Sequence, residues 1–415
     1  MPVDIKNTKR VLTWLICLTY AGMFFPLIIS NITLIVLLGF CLYYIRPKDI
    51  VTTFKENPFL RIIVAMYFLQ VIGLLYTTNY QTGFFVLEKK LSLLLIPLIV
   101  LPLLHKVDAD ISLILKRIGT ITLLSSVVLL VIATFKTLVI HDSHAFYFEN
   151  VTSIHYVYYS IYFASGSLLL IDNIFDEYVK KKYGYAIIAV LFTYSLIILI
   201  LIASKTGIMA FGLASVFFLY KRLTNKKIFA TAILLMWLSV AILFYFNETT
   251  RSRFTGLSEH LSVLTLDDFR GHDMYYNDLN MRLLFWKISV VNICKDHAFL
   301  TGVGTGDAQD YINVLYALPQ YQLNGYIDWD SHNQWVYTFV QLGLIGVALM
   351  AFLYVRFFRA AFIHMDLKFI SFLIITLAFS FSESILESNK GIVFFSLLFT
   401  LFSVRYKKSE SSAVK

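Results

Sequence analysis

The sequence predicts an all-α membrane protein, and three observations support that class. Of the 415 residues, 58% are hydrophobic and 15% are charged, so the chain has more apolar surface than one soluble core buries. The mean hydropathy is +0.73. The apolar residues also form runs of about 20, the length that crosses ~30 Å of hydrocarbon, without the alternation of a β-barrel. A soluble globular protein is therefore excluded.

Twelve apolar segments are predicted to span the membrane as helices. The first follows the basic residues Lys6, Lys9 and Arg10 and lacks a small-residue cleavage site, so we expect an uncleaved span beginning at Val11. The other eleven lie at about 31–45, 59–76, 84–104, 118–139, 154–171, 184–203, 207–220, 228–246, 334–354, 368–382 and 391–404. Together they predict a polytopic transmembrane helical bundle.

Basic residues alternate with these spans as the positive-inside rule requires. With the N-terminus in the cytoplasm, every cytoplasmic segment carries at least three Lys or Arg, and these segments hold most of the 35 basic residues. We therefore expect both termini in the cytoplasm. Topology then accounts for the net charge of +9, and nucleic acid is not an expected partner.

One connection is much longer than the rest and divides the chain. Residues 1–246 hold spans one to nine, residues 247–333 form a large outer loop, and residues 334–415 hold spans ten to twelve and a cytoplasmic tail. A loop of this length is usually functional. Its stretch Asn280–Cys294 is predicted to form an amphipathic helix on or near the bilayer surface. A transporter is disfavoured because no internal repeat is visible and the charges gather at the outer mouth.

The strongest local pattern lies at the end of the long loop. It consists of Ser331-His332-Asn333-Gln334, followed by Gly343 and Gly346. This places an imidazole at the outer end of a span, with glycines about three turns deeper that allow close helix packing. From spacing alone, a hydrogen-bonded histidine that caps its helix is the alternative interpretation.

These residues carry a resemblance to the O-antigen ligase family, whose relatives include O-antigen polymerases. The family motif is His, then Asn, Ser or Gln, nine residues, Gly, two residues, and Gly, Thr or Tyr. His332, Asn333, Gly343 and Gly346 match every defined position. The segment of about 187–354 looks like the family's shared domain. The resemblance implies a GT-C-like helical bundle in the bacterial inner membrane, with its active site facing the periplasm.

The resemblance also implies a reaction. The family transfers a glycan from undecaprenyl diphosphate to a hydroxyl, which in ligases belongs to the lipid A core, with inversion at the anomeric carbon and no metal or other cofactor. The expected partners are therefore the lipid-linked donor, the lipid A core acceptor and membrane lipids. An O-antigen polymerase or a protein O-oligosaccharyltransferase would use the same donor, and the sequence leaves both alternatives open, although the motif favours a ligase.

The chemistry assigns roles to the residues that match the family. A sugar hydroxyl needs a base near neutral pH, so His332 is the candidate general base. The departing lipid diphosphate needs cations, and Arg282, which matches the family's loop arginine, suits phosphate through its planar fork. Where the family has a second arginine after a serine, this chain has Lys205 after Ser204, which keeps the charge but loses the fork.

Weaker candidates complete the predicted site. Lys89 and Lys90 are candidates for holding diphosphate, with an ion pair to Glu88 as the equal alternative. His155 is a candidate for facing sugar, Asn333 for binding substrate, and Arg253 for attracting phosphate, although a solvated loop edge explains Arg253 better. Two further groups of residues receive structural interpretations: a salt-bridged helix end (Glu383, Glu387 and Lys390) and a turn (Gly302–Gly306). No metal-ligand spacing is visible.

Overall fold

The computed structural model describes residues 4–141, 145, 155–181, 183–202, 204–246, 268, 278–321 and 323–406. Within these ranges the regular elements are helices and there is no β-strand, which confirms the predicted all-α class. The first eleven helices are α1 (Ile5–Gly22), α2 (Leu27–Tyr44), α3 (Pro47–Glu56), α4 (Pro58–Leu74), α5 (Tyr80–Leu95), α6 (Leu101–Lys106), α7 (Ile111–Phe135), α8 (Tyr156–Tyr178), α9 (Gly184–Leu201), α10 (Lys205–Arg222) and α11 (Lys226–Phe246).

Five more helices follow in the last third of the chain. They are α12 (Asp278–Lys295), α13 (Ala308–Tyr316), α14 (Gln334–Ile363), α15 (Leu367–Ser380) and α16 (Asn389–Ser403). Two π-helical turns extend or join helices, Ile96–Val100 between α5 and α6 and Lys136–Ile140 after α7.

Each of the twelve predicted spans overlaps a helix. By length and apolarity, four described helices are sufficient to cross a membrane: α2, α7 with its π-helical end, α9 and α14. The number is five if α3 and α4, which meet at an angle of 104°, form one broken span. A membrane protein follows from these helices, whereas the number of twelve crossings stays a prediction.

The helices divide into one large core and one smaller cluster. In the large core, α8 packs against α7, α9, α10 and α15, and α14 packs against α4 and α15. The smaller cluster joins α12, α13 and the loop before α14. The predicted helix is confirmed as α12, and its buried residues Met281, Leu284, Phe285 and Ile288 recur every three or four positions on the side that faces the smaller cluster, whereas a location at the bilayer surface stays a prediction.

Gly343 breaks α14 and lets a loop pack into the break. Its φ of 62° and ψ of −159° are confined almost entirely to glycine, and a Cβ there would lie 2.3 Å from the carbonyl carbon of Leu300. Backbone amides of Leu344 and Val303 donate across the contact to Phe299 and Val340. The predicted turn Gly302–Gly306 is confirmed, and it docks on the helix that carries the motif glycines.

Candidate active site

One end of the helical bundle contains a cavity of about 560 Å³. Four parts of the chain meet there: the residues just before α8, one face of α12, the loop before α14 and the turn after α15. The described lining consists of His155, Tyr156, Met281, Arg282, Phe285, Tyr326, Asp328, Trp329, Asp330, His332 and Glu383. Both predicted catalytic residues, His332 and Arg282, therefore line the same cavity, and so does His155, a predicted substrate contact.

His332 is held in an uncommon backbone conformation immediately before α14. Its φ is +46°, in the left-handed region that non-glycine residues rarely adopt. The His332 amide donates to Oδ1 of Asp330 at 2.7 Å, and Asn333, the next residue, caps the helix. A strained conformation of this kind is often stored at a functional site.

Asn333 is the cap of α14. Its Oδ1 accepts hydrogen bonds from the amides of Trp335 (2.8 Å) and Val336 (3.1 Å), and the residue is buried. Its side chain does not line the cavity, so the structure gives it a helix-capping role where the sequence predicted substrate contact. Because Asn333 caps the helix, the side chain of His332 does not, and its ring lines the cavity.

The imidazole of His332 pairs with Glu383. Nδ1 of His332 lies 3.2 Å from Oε2 of Glu383 and 3.7 Å from Oδ1 of Asp330. When Nδ1 donates to the carboxylate, the lone pair of the neutral ring lies on Nε2. That nitrogen is then the one available to take a proton from a substrate.

Glu383 also holds the arginine. Its Oε1 accepts from Arg282 at 2.8 Å, and Arg282 donates a further hydrogen bond to the carbonyl oxygen of Ser382. Glu383 is 7% exposed, so this carboxylate is nearly desolvated between two partners. The predicted local salt-bridged helix end is wrong here, because Glu383 is bonded to α12 and to the motif histidine.

The surroundings shift the pKa values of the three acid–base groups. Burial lowers the pKa of His332, but its hydrogen bond to Glu383 and the charges of Asp330 and Glu383 outweigh burial and raise the pKa above its ordinary value. Burial raises the pKa of Glu383, yet His332 and Arg282 bring it below the ordinary range. Burial raises the pKa of Asp330. His332 is therefore a stronger base than an isolated histidine.

α12 and the loop before α14 are tied together next to the cavity. Nε1 of Trp286 donates to the carbonyl oxygen of Ser331 at 2.9 Å, one residue before His332. The rings of Phe285 and His332 are stacked with centroids 6.5 Å apart. The helix that supplies Arg282 thus also fixes the backbone that presents His332.

Lys90 is not among the residues that line the cavity, and it has a structural partner. Its Nζ lies 2.6 Å from Oε1 of Glu387 and 3.1 Å from Oε1 of Gln341, and only 2% of the residue is exposed. The predicted ion pair with Glu88 is wrong, because the partner is Glu387, and the diphosphate role stays a prediction. Lys89 lies 5.8 Å from the ring of Phe85 and is also outside the cavity lining.

The remaining predicted residues are close to the cavity or outside the described ranges. Lys205 begins α10, next to the helix-capping Ser204, whose Oγ lies 2.8 Å from Oγ of Ser160 on α8. Ser160 is one turn from His155, so Lys205 lies near this end of the bundle, although it does not line the cavity. Arg253 lies outside the described residues, and its role stays a prediction.

Sequence reasoning missed several residues of the site, among them Trp329, Asp330 and Glu383. Asp330 and Trp329 lie two and three residues before His332, and this closeness in sequence was a signal that they share its pocket. Glu383 was assigned to a local cluster with Glu387 and Lys390, because its true partners are distant in sequence. Among the residues described, no group of three or more His, Cys, Asp or Glu is arranged to hold a metal ion.

A second cavity, of about 360 Å³, differs in chemistry. It lies between α9, α10 and α11, and its lining is almost wholly apolar, with Lys227 as the one charged residue among the described positions. Among its described residues it contains no acid–base pair like that of the cavity around His332.

The fold and the site define a helical membrane protein in which a buried glutamate joins a half-buried histidine and arginine at one end of the bundle. Residues 189–351 match the family model described as O-antigen ligase, and this match confirms the predicted resemblance to that family over this segment. The family supports an enzyme of the glycan ligase or polymerase type. His332, Arg282 and Lys205 lie inside the matched segment, whereas Glu383 lies beyond it. No curated protein matches the chain.

Proposed function

We propose that this protein is an O-antigen ligase that transfers a glycan from undecaprenyl diphosphate to a hydroxyl of the lipid A core. The observation that carries the proposal is the pairing of His332 with Glu383 and of Glu383 with Arg282 in one cavity. The family match over the segment that contains His332 and Arg282 supports it. The arrangement contains both a base for the acceptor and a cation for the donor.

In the proposed reaction, Nε2 of His332 takes the proton of the acceptor hydroxyl as its oxygen forms a bond to C1 of the donor sugar. The bond between C1 and the phosphate oxygen breaks, and the electron pair leaves with undecaprenyl diphosphate. Attack from the opposite face inverts C1. Glu383 holds the ring orientation through Nδ1 and stabilises the imidazolium that forms.

Arg282 is proposed to stabilise the departing diphosphate. A guanidinium has five N–H donors, and the contacts with Glu383 and Ser382 leave others for phosphate oxygens. Lys205 and His155 are proposed as additional contacts, because both lie at the same end of the bundle. Positive charge beside the departing diphosphate matters more than protonation of its oxygen, because a diphosphate is already a good leaving group.

The distribution of charge supports an orientation with the cavity towards the periplasm. The opposite end of the bundle carries Arg222, Lys368 and Arg405, with Asp172 and Asp366 as their partners. By the positive-inside rule this end faces the cytoplasm. Twelve spans, cytoplasmic termini and an inner-membrane location complete the proposal, with the polyprenyl tail of the donor remaining in the bilayer.

The test is the lipopolysaccharide banding pattern of a deletion strain of the source bacterium, complemented with wild type, His332→Ala or Arg282→Ala at matched expression. We expect wild type to restore the ladder of long chains and both variants to leave bare core. Lys295→Ala, an exposed change at the end of α12, is the matched control and should behave as wild type. A deletion strain that keeps its ladder would overturn the proposal, and single repeats on core would indicate a polymerase.

A further inference from the structure

The cavity has two chemically different sides, which meet at His332. On one side the ring of Trp329 lies 5.5 Å from that of His332, and the ring of Tyr326 lies 5.3 Å from that of Trp329. On the other side His332 contacts Glu383, which holds Arg282. The base therefore lies between an aromatic wall and a cation.

The aromatic wall also carries carboxylates. Asp328 and Asp330 flank Trp329 in the sequence, and both line the cavity. Asp328 is fixed in place because its Oδ1 accepts from Nδ2 of Asn313 at 2.9 Å and its amide donates to Oδ1 of the same residue at 2.9 Å. A diphosphate is repelled by this side, because like charges raise the free energy of binding.

Trp329 is exposed although it faces a cavity. Its exposed fraction is 49%, and its neighbour Tyr326 is half-buried. A large aromatic face beside fixed hydrogen-bond acceptors suits a ligand with both a C–H face and hydroxyl groups. Ionised carboxylates accept hydrogen bonds from hydroxyls, and such bonds are stronger than neutral ones.

We propose that Tyr326, Asp328, Trp329 and Asp330 form the binding site of the acceptor sugar, with the pyranose stacked on Trp329 and its hydroxyls bonded to the two carboxylates. This inference rests on the proposed function. It assigns the acceptor to the acidic aromatic side and the donor diphosphate to the side of Arg282. A sugar on Trp329 lies beside the imidazole that takes its proton.

The first test compares the two substrates kinetically. Purified wild type, Trp329→Ala and Asp328→Asn are assayed with undecaprenyl-diphosphate-linked glycan and lipid A core, each varied in turn. We expect Trp329→Ala to raise the acceptor KM roughly tenfold through loss of aromatic contact, with the donor KM unchanged. Asp328→Asn should raise the same KM by less. The matched control is Trp14→Ala, an exposed tryptophan on α1 that does not line the cavity.

An unchanged acceptor KM in Trp329→Ala would overturn the inference, and so would a rise in the donor KM alone. A second measurement uses the His332→Ala background, in which binding is measured without turnover, and titrates delipidated core oligosaccharide by calorimetry. Adding Trp329→Ala should weaken this binding by a similar factor, and equal binding would contradict the acceptor site. Transfer activity that persists in His332→Ala itself would instead contradict the proposed function, so the two failures are distinguishable.

Discussion

Nδ1 of His332 lies 3.2 Å from Oε2 of Glu383, across 51 residues of sequence. This hydrogen bond therefore joins the loop before α14 to the turn after α15 in the lining of the cavity. The contact has two consequences. It fixes which ring nitrogen can accept a proton, and it raises the pKa of His332 above its ordinary value.

Glu383→Gln should move the pH dependence of transfer. His332 acts as a base only when neutral, so activity rises as pH rises through its pKa. In wild type this rising part of the pH profile lies above the ordinary histidine pKa. The amide has no negative charge, so the pKa of His332 falls. The rise of kcat/KM with pH then shifts to lower pH. The measurement is kcat/KM against pH, with Glu88→Gln, an exposed acid outside the cavity lining, as the control. An unmoved pH profile would show that Glu383 does not set the basicity of His332.

Arg282→Lys should reduce transfer by roughly 10²-fold while retaining the positive charge. Lysine offers a point charge without the fork, so it cannot bond Glu383, the Ser382 carbonyl and a diphosphate together. Initial rates with saturating acceptor measure the effect, and Lys295→Ala controls for changes on α12. If Arg282→Lys is as active as wild type, then charge alone is sufficient and the planar geometry has no role.

The sequence predicted the helical class well, because runs of about 20 apolar residues leave few alternatives in a membrane. The motif marked His332 as a candidate and the family resemblance marked Arg282; the structure brings both to one cavity, and their catalytic roles stay proposals. The sequence could not pair Glu383 with them, because helix spacing relates only residues three or four apart. For the same reason, local pairing was expected for Glu387 and Lys390, which instead contact Lys90 and the backbone of Met23.

Lys90→Ala should destabilise the protein far more than Lys89→Ala. Lys90 and Glu387 form a buried ion pair whose side chains are 3% and 7% exposed, and removing one partner leaves an uncompensated charge at a cost of about 3–5 kcal/mol. Lys89 is half-buried over Phe85, and its replacement by alanine should change the free energy of unfolding little. Thermal unfolding in detergent measures both variants. Equal stabilities, combined with a raised donor KM in Lys90→Ala, would support the predicted diphosphate role.

Gly343→Ala should weaken the structure that supports the site without touching a catalytic group. The φ of 62° and ψ of −159° cost a non-glycine residue roughly 1–3 kcal/mol, and the new Cβ would lie 2.3 Å from the backbone of Leu300. Relief of this clash moves the docked loop, so we expect a lower unfolding temperature together with reduced transfer.

The matched control for this change is Gly39→Ala in α2, where a Cβ meets nothing within 4 Å. Alanine at an open helical position should be neutral or stabilise the helix by up to about 1 kcal/mol. The comparison separates a requirement for glycine at the break from a general effect of adding a methyl group to a membrane helix. If Gly343→Ala unfolds at the same temperature as Gly39→Ala, then the loop adapts to a continuous α14. The motif glycine at 343 would then have a role other than this packing.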